Sequence, residues 1–222
     1  MLDVLFALET PHGWLVAVTI PAGGASLEEA ARARLREDEV RMAAALGPVR
    51  SRAWLGGRLA LREALARAGL TAGPVGSDDR GAPVLPAGIA GSVSHKRDVA
   101  VALVAAEARA KLGVDVEVEE PGKVDVARRV LRDEELAELA ALGGAERARA
   151  VVLRFSAKES IYKAVDPFVR RYVGFHEVAL RVRADGTAEV EPHWAHGEGP
   201  FRVEARWMRR DGLVVTSARV ER

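Results

Sequence analysis

The hydrophobic pattern of the first half predicts strands on either side of a helical region. Apolar runs with strand spacing flank a polar turn near the start, and two long stretches of helical spacing follow, separated by a Gly-Pro pair that breaks helices. In order, the pattern predicts two strands, two helices and two more strands: Val4–Leu8, Trp14–Ile20, 26–46, 50–68, Ile89–Ser94 and Val99–Val104.

The second half repeats this order. It predicts a strand, a turn, two helices and three strands: Gly113–Val118, Pro121-Gly122, 124–142, 146–165, Val178–Val182, Phe201–Trp207 and Leu213–Val220. Because strands, two helices and strands occur twice, we expect an α+β fold with two pseudo-duplicated lobes, each a small antiparallel sheet packed on helices. We expect the lobes to be residues 1–108 and 109–222.

Composition narrows the class of protein. The 222 residues are 49% hydrophobic and 29% charged, which indicates a globular chain, and the formal net charge is only +1. No basic stretch stands out, so we expect no nucleic-acid partner. The chain has no cysteine, which excludes a thiol nucleophile and a zinc–thiolate centre. No signal peptide or apolar span of about 20 residues is present, so we expect a cytoplasmic protein without a membrane partner.

Two carboxylates lie on the strand Gly113–Val118. Asp115 and Glu117 are two positions apart, so they project from the same face and repel each other unless a cation or a proton lies between them. Taken alone, the alternation of valine and acid is more typical of a solvated strand face than of a cation site.

The stretch FSAKESIYKA, residues 155–164, adds a third acid and two of the chain's few lysines. Glu159 and Lys163 are four residues apart and share a helix face. The pair is compatible with a surface ion pair worth only ~0.3–0.5 kcal/mol. It is also compatible with a third metal-binding carboxylate beside a phosphate-binding lysine, with Lys158 close by.

A third segment, GSVSHK at residues 91–96, ends a predicted strand. Its Ser94 and His95 could bind phosphate through a hydroxyl and an imidazolium, although a polar hairpin turn explains the same residues.

Taken together, these segments resemble the 4'-phosphopantetheinyl transferase superfamily. The order S-V-S-H, G-V-D-V-E and F-S-A-K-E-S-I-Y-K is similar to that family's S-x-S-H, G-[IV]-D-x-E and [WF]-x-x-K-E-[SA]-x-x-K. The resemblance extends over about 41–171 and is greatest to the single-chain, two-lobed type that activates carrier proteins of peptide, polyketide and siderophore synthases.

The resemblance implies transfer of the phosphopantetheine arm of coenzyme A to a serine of an apo acyl or peptidyl carrier protein, with release of 3',5'-ADP. It implies that Asp115, Glu117 and Glu159 bind Mg²⁺, with Mn²⁺ as an alternative, and that Asp115 also lies at the coenzyme A site. Glu159, directly or through a metal-bound water, would take the serine proton. Lys163 would contact the pyrophosphate or the charge that develops in the transition state, and Lys158 would do the same or support the site. The chain would be a monomer.

For the nucleotide, the resemblance implies that Ser94 and His95 contact phosphates and that Arg41 contacts the 3'-phosphate. Arg80 would replace a family lysine, because Ala82 stands at that lysine's place. An acidic carrier protein would dock on basic side chains, for which the candidates are Arg128, Arg129, Arg170 and Arg171.

Two alternatives come from other classes. A metal-dependent phosphodiesterase or nuclease can also use a strand D-x-E, and a catalytically silent module could bind carrier proteins without modifying them. The sequence leaves open which carrier protein is used, whether acyl-coenzyme A is accepted, and whether Mg²⁺ or Mn²⁺ is preferred.

Overall fold

The chain forms two compact units, Met1–Leu112 and Gly113–Arg222. This computed structural model describes residues 2–119 and 126–222. Each unit contains one β-sheet with helices packed on it, so the predicted α+β fold is confirmed. In the part of the chain that is described, no helix is both long enough and apolar enough to cross a bilayer.

The first unit is a four-stranded antiparallel sheet in the order β1-β2-β4-β3 with three helices. Its elements are β1 Val4–Thr10, β2 Gly13–Thr19, α1 Gly24–Arg34, α2 Glu37–Ala44, α3 Pro48–Arg67, β3 Ile89–Lys96 and β4 Val99–Ala106. Helix α3 packs on the sheet through small and branched apolar residues, and the buried core lies between them.

The second unit is a five-stranded sheet in the order β5-β9-β8-β7-β6. Its elements are β5 Lys111–Val118, α4 Ala127–Val130, α5 Asp133–Glu138, α6 Gly144–Val169, a 3₁₀ turn Phe175–Glu177, β6 Val178–Val182, β7 Thr187–Pro192, β8 Arg202–Arg210 and β9 Leu213–Glu221. The 26-residue α6 packs mainly against β9. Strand β7 was not predicted, and most of its residues are not buried, so its sequence lacks a continuous apolar run. The turn predicted at Pro121-Gly122 lies outside the described residues.

The single helix predicted over 26–46 is two helices, and a buried glutamate accounts for the break. The carboxylate of Glu39 accepts the backbone N–H of Arg36 at 2.9 Å and that of Val75 at 2.9 Å. It also accepts bonds from the Arg62 guanidinium, at 2.6 and 3.1 Å. The Glu39 carboxylate caps the N–H of Arg36, the N-cap residue, and is itself held by Val75 and Arg62, so a second helix starts there instead of continuing α1.

In the second unit a buried glutamate, Glu135, makes the same kind of contacts. Glu135 accepts the N–H of Arg132 at 2.9 Å and that of Leu180 at 3.1 Å, and it is bonded to the Lys158 ammonium at 2.5 Å. Its bond to the Arg132 N–H starts α5, so the region that the sequence predicted as one helix over 124–142 contains two short helices, α4 and α5. Residues 124 and 125 lie outside the described range.

These two glutamates reveal an ungapped internal repeat. In each unit the glutamate lies three residues after the N-cap and 23 residues before its basic partner. The sequences around them correspond as well, with L-R-E-D-E at residues 35–39 and L-R-D-E-E at residues 131–135. Continuing in this register places a buried arginine, Arg58 or Arg154, at the same point of each long helix. The repeat therefore pairs residues of α3 with residues of α6 one to one.

Candidate functional site

The position of β5 against α6 is set by Gly113. A β-carbon at this residue would lie only 1.8 Å from the backbone oxygen of Ser160 and 2.9 Å from the backbone N of Ala164. Only glycine fits at this approach. Since alternate strand residues project from one face, Asp115 and Glu117 are on the same side of β5 as this contact and project toward the face that α6 covers.

Asp115 is held through both of its carboxylate oxygens. Its Oδ1 accepts a bond from the Lys163 ammonium at 2.8 Å, and its Oδ2 accepts one from the Ser156 hydroxyl at 2.8 Å. Lys163 also donates to the backbone carbonyl of Val114 at 2.9 Å. Asp115 is buried, whereas the Lys163 side chain keeps 27% of its surface exposed. The lysine therefore links a buried carboxylate to solvent-accessible space.

Glu159 belongs to the same electrostatic cluster. Burial raises the pKa of its carboxyl group, the Asp115 and Glu117 carboxylates raise that pKa further, and the Lys163 ammonium opposes them. The structure thus brings together Asp115, Glu117, Glu159 and Lys163. Three acids facing one lysine leave an excess of negative charge when all are ionised.

The donor set is chemically suited to a hard divalent cation. Mg²⁺ prefers oxygen ligands, and one or two carboxylates together with substrate phosphates are its usual shell in enzymes. Among residues 2–119 and 126–222, however, no three acidic or histidine side chains converge as closely as in a formed metal centre. In this structure the Lys163 ammonium supplies the positive charge beside Asp115. The carboxylates of Asp115, Glu117 and Glu159 suit Mg²⁺ by their oxygen donors and by their charge.

Lys158 is placed away from this cluster. Its side chain is buried, and its ammonium donates to the carbonyl of Val130 at 2.9 Å, to Glu135 at 2.5 Å and to the carbonyl of Phe175 at 3.1 Å. An ammonium has three donors, and three acceptors from three elements surround this one. The lysine joins α6 to α4, to α5 and to the 3₁₀ turn.

The nucleotide-binding candidates all belong to the first unit. Arg41 lies on α2 and forms ion pairs with Glu37 and Asp38. Arg80 lies in a loop in which the Asp78 carboxylate accepts the backbone N–H of residue 80 and that of residue 82. Ser94 and His95 are consecutive on β3, so their side chains project from opposite faces of the sheet. These residues occupy three separate elements.

The four candidate docking arginines differ in their surroundings. Arg128 and Arg129 are exposed on α4, between Ala127 and Val130, which are buried. Arg170 is exposed at the left-handed end of α6. Arg171, by contrast, forms a clamp in which its guanidinium donates to two carboxylates, Glu177 at 2.6 and 2.9 Å and Glu198 at 2.5 and 3.1 Å.

The Arg171 clamp should make stability depend on acidic pH. Hydrogen bonds from Arg171 lower the pKa of Glu177 to about 2 and that of Glu198 to about 2. Because these pKa values lie below the ordinary value near 4.5, the unfolded chain binds more protons between these two pH values. The clamp's contribution is therefore complete above about pH 4.5 and is lost as pH falls toward 2.

Urea unfolding at a series of pH values tests this dependence. We expect the free energy of unfolding to fall less steeply below pH 4.5 in Arg171→Ala than in the wild type. Arg129→Ala, which changes an exposed arginine, should keep the wild-type slope. Equal slopes in all three proteins would contradict the assignment.

Three polar residues of this region were missed by the sequence reasoning. Ser156 bonds Asp115, Thr216 on β9 bonds Ser156, and Glu135 bonds Lys158. Ser156 had a detectable signal, since it precedes Glu159 by three residues and Lys163 by seven and so shares their helix face. Thr216 and Glu135 had none, because their partners are distant in sequence.

Two models of known protein families match the chain. The model of the 4'-phosphopantetheinyl transferase N-terminal domain matches residues 36–105, and the model of the 4'-phosphopantetheinyl transferase superfamily matches residues 111–216. The second match includes Asp115, Glu117, Glu159 and Lys163.

The chain is also similar to individual known proteins. The chain is 38% identical to 4'-phosphopantetheinyl transferase Svp of Streptomyces mobaraensis, over 73% of this chain and 69% of that protein. It is 29% identical to 4'-phosphopantetheinyl transferase Npt of Nocardia iowensis, over 76% of this chain and 81% of the relative. Enterobactin synthase component D of Salmonella typhimurium is 30% identical, over 73% of this chain and 68% of its own length.

Among solved structures, a holo-(acyl-carrier-protein) synthase from Bacillus anthracis in complex with CoA (3',5'-ADP) is similar with a TM-score of 0.42 and 21% identity. The matched part covers 50% of this chain and 94% of the synthase chain. The sequence relatives and the two family models show that the chain belongs to the 4'-phosphopantetheinyl transferase superfamily.

Proposed function

We propose that this protein transfers the 4'-phosphopantetheine arm of coenzyme A to a serine hydroxyl of an apo acyl or peptidyl carrier protein and releases 3',5'-ADP. The observation that carries the proposal is the cluster of Asp115, Glu117, Glu159 and Lys163 in a member of this transferase superfamily. The comparisons support neither a nuclease nor a silent binding module.

The reaction forms one P–O bond and breaks another. The serine oxygen of the carrier attacks the phosphorus that bears the pantetheine arm, and the P–O bond to the second phosphate breaks, so that 3',5'-ADP leaves with the electron pair. The serine proton must go to a base. Glu159 is the candidate base, directly or through a metal-bound water, because its carboxylate belongs to the cluster of Asp115, Glu117 and Lys163.

Asp115, Glu117 and Glu159 would hold Mg²⁺, or Mn²⁺ in its place. The ion, when bound, would bring the pyrophosphate to the carboxylates and neutralise the charge that develops on the leaving phosphate. The residues themselves supply hard oxygen donors on one face of β5 and α6. Gly113 fixes the separation of these two elements through its close approach to the α6 backbone.

The two lysines have different roles. Lys163 is partly exposed at the edge of the carboxylates, where an ammonium can also contact a substrate phosphate. Lys158 is buried with a full set of acceptors, so we assign it to the scaffold that positions α6 and not to the phosphates.

We also propose that Arg41, Arg80, Ser94 and His95 of the first unit serve the coenzyme A nucleotide. Exposed cations on α4 would attract an acidic carrier protein, and we include Arg128 and Arg129 in that docking surface. Arg171 is left out, because two carboxylates already hold its guanidinium. A monomeric chain and a cytoplasmic location remain predictions.

A transfer assay tests the function. Purified protein is incubated with coenzyme A, Mg²⁺ and several apo-carrier proteins, and the carriers are weighed by mass spectrometry. We expect the mass of one phosphopantetheine on the carrier, 3',5'-ADP in the supernatant, and loss of both products on addition of EDTA. A carrier whose acceptor serine is changed to alanine is the matched control. Absence of the added mass from every carrier would overturn the proposal.

A further inference from the structure

The hydroxyl of Ser156 makes an unusual choice of partner. A serine inside a helix commonly bonds a carbonyl of the preceding turn, as Ser160 does here with the carbonyl of Ala157 at 2.8 Å. The hydroxyl of Ser156 instead donates outside its helix, to Oδ2 of Asp115 on β5 at 2.8 Å. Its Oγ also lies 3.0 Å from Oγ1 of Thr216 on β9. Ser156 and Thr216 are both 0% exposed.

The protons that each group carries determine the direction of these hydrogen bonds. An ionised carboxylate has no proton to donate, so Ser156 must give its single hydroxyl proton to Asp115. Thr216 gives its own proton to the backbone carbonyl of Ser156 at 2.8 Å, and its hydroxyl oxygen also lies 3.0 Å from the Ser156 Oγ. Thr216 therefore holds Ser156 in place, and Ser156 donates to Asp115. Together with Lys163 on Oδ1, this bond fixes the rotation of the Asp115 carboxylate.

In the internal repeat, the counterpart of Ser156 has no hydroxyl. In the register set by Glu39 and Glu135, Ser156 corresponds to Ala60 and Ser160 to Ala64, and all four residues are buried. An alanine therefore fills the same point of the long helix in the first unit. Ser156 differs from Ala60 by a hydroxyl, and this hydroxyl donates to the carboxylate of Asp115.

We infer that Ser156, supported by Thr216, is a positioning residue that orients Asp115 for binding the divalent cation. The inference rests on the proposed function, because it assigns Asp115 to the cation. Groups that hydrogen-bond a metal-binding carboxylate fix its direction, and their removal typically costs 10–100-fold in metal affinity or activity.

The experiment compares Ser156→Ala and Thr216→Val with Ser160→Ala. Ser160→Ala also removes a buried hydroxyl from the same helix, but this hydroxyl donates to the backbone carbonyl of Ala157. We expect Ser156→Ala and Thr216→Val to raise the half-saturating Mg²⁺ concentration in the transfer assay by roughly 10- to 100-fold. At saturating Mg²⁺ the KM for coenzyme A should be unchanged and kcat should return toward the wild-type value. Ser160→Ala should match the wild type throughout.

A second readout does not depend on turnover. Mn²⁺ binding to the full chain with coenzyme A present, followed by electron paramagnetic resonance, should weaken in Ser156→Ala and not in Ser160→Ala. If the wild type transfers and Ser156→Ala shows the wild-type Mg²⁺ and Mn²⁺ dependence, the inference is wrong and the function stands. If the wild type transfers nothing, the function fails, and the Mn²⁺ measurement alone decides the role of Ser156. Should Ser156→Ala not fold, Thr216→Val decides by the same criteria.

Discussion

Glu159→Gln is expected to lower kcat for phosphopantetheine transfer by roughly 10²–10⁴-fold, the usual contribution of a general base. Glutamine keeps the shape of the side chain but can neither accept the serine proton nor add negative charge to the cation site. Steady-state transfer to an apo-carrier protein, with the product weighed by mass spectrometry, measures the loss. Coenzyme A binding should survive in part, because the candidate nucleotide contacts lie on other residues.

The same change should leave stability at pH 7 equal or higher. Burial and two neighbouring carboxylates disfavour the ionised form of Glu159, as its raised pKa shows. An acid whose pKa is raised on folding reduces the free energy of unfolding at neutral pH, and a neutral amide removes that cost. Loss of activity together with retained stability is typical of a functional residue held in an unfavourable environment.

The matched control is Glu63→Gln. Glu63 occupies the position of Glu159 in the internal repeat, but it forms ion pairs with Arg34 and Arg67 at 3.1 and 3.0 Å on the first unit. Its replacement should change stability by at most about 1 kcal/mol and leave kcat near the wild-type value. More than a tenth of the wild-type rate in Glu159→Gln, or an equal loss in Glu63→Gln, would contradict the role of Glu159.

Most strands and the long helices could be predicted from the sequence because their signals are local. The β1–β2 hairpin and the β3–β4 pair follow from apolar runs around short turns, and α6 follows from helical spacing on FSAKESIYKA. Helix breaks were missed where a distant residue decides them. Nothing in residues 26–46 reveals that Glu39 is buried beneath Arg62 and the Val75 backbone, and those contacts start α2.

The site shows the same division between local and distant information. Asp115 and Glu117 share a strand face, and Glu159 and Lys163 share a helix face, so each pair could be predicted by itself. What joins the pairs is the close contact at Gly113, which only the folded chain shows.

The internal repeat identifies buried contacts that both units share. The glutamate at the third helix position bonds its basic partner in each unit, and a buried arginine follows the same register, so these residues belong to the scaffold. Ser156, by contrast, replaces an alanine of the first unit, and its hydroxyl bonds the carboxylate of Asp115. Lys158, the counterpart of Arg62, makes the same bond to the glutamate of its own unit as Arg62 makes to Glu39, and this shared contact assigns it to the scaffold even though it lies within the family's motif.

Lys158→Met should therefore destabilise the protein by about 3–5 kcal/mol, the usual cost of leaving one member of a buried ion pair without its partner. Glu135 would keep its bonds to the N–H groups of Arg132 and Leu180 but lose the ammonium that neutralises it, and the carbonyls of Val130 and Phe175 would lose a donor. Urea unfolding followed by circular dichroism measures the change.

Two further variants distinguish a scaffold role from a phosphate contact. Lys111→Met changes an exposed lysine and should alter stability by less than about 0.5 kcal/mol. Lys163→Met should lose transfer, and it should also lower stability, because it leaves the buried carboxylate of Asp115 without its ammonium partner. At a temperature where Lys158→Met is folded, its KM for coenzyme A should stay close to that of the wild type, because its ammonium has no part in phosphate binding. Wild-type stability combined with a large rise in that KM would return Lys158 to the coenzyme A site and contradict the assignment drawn from the repeat.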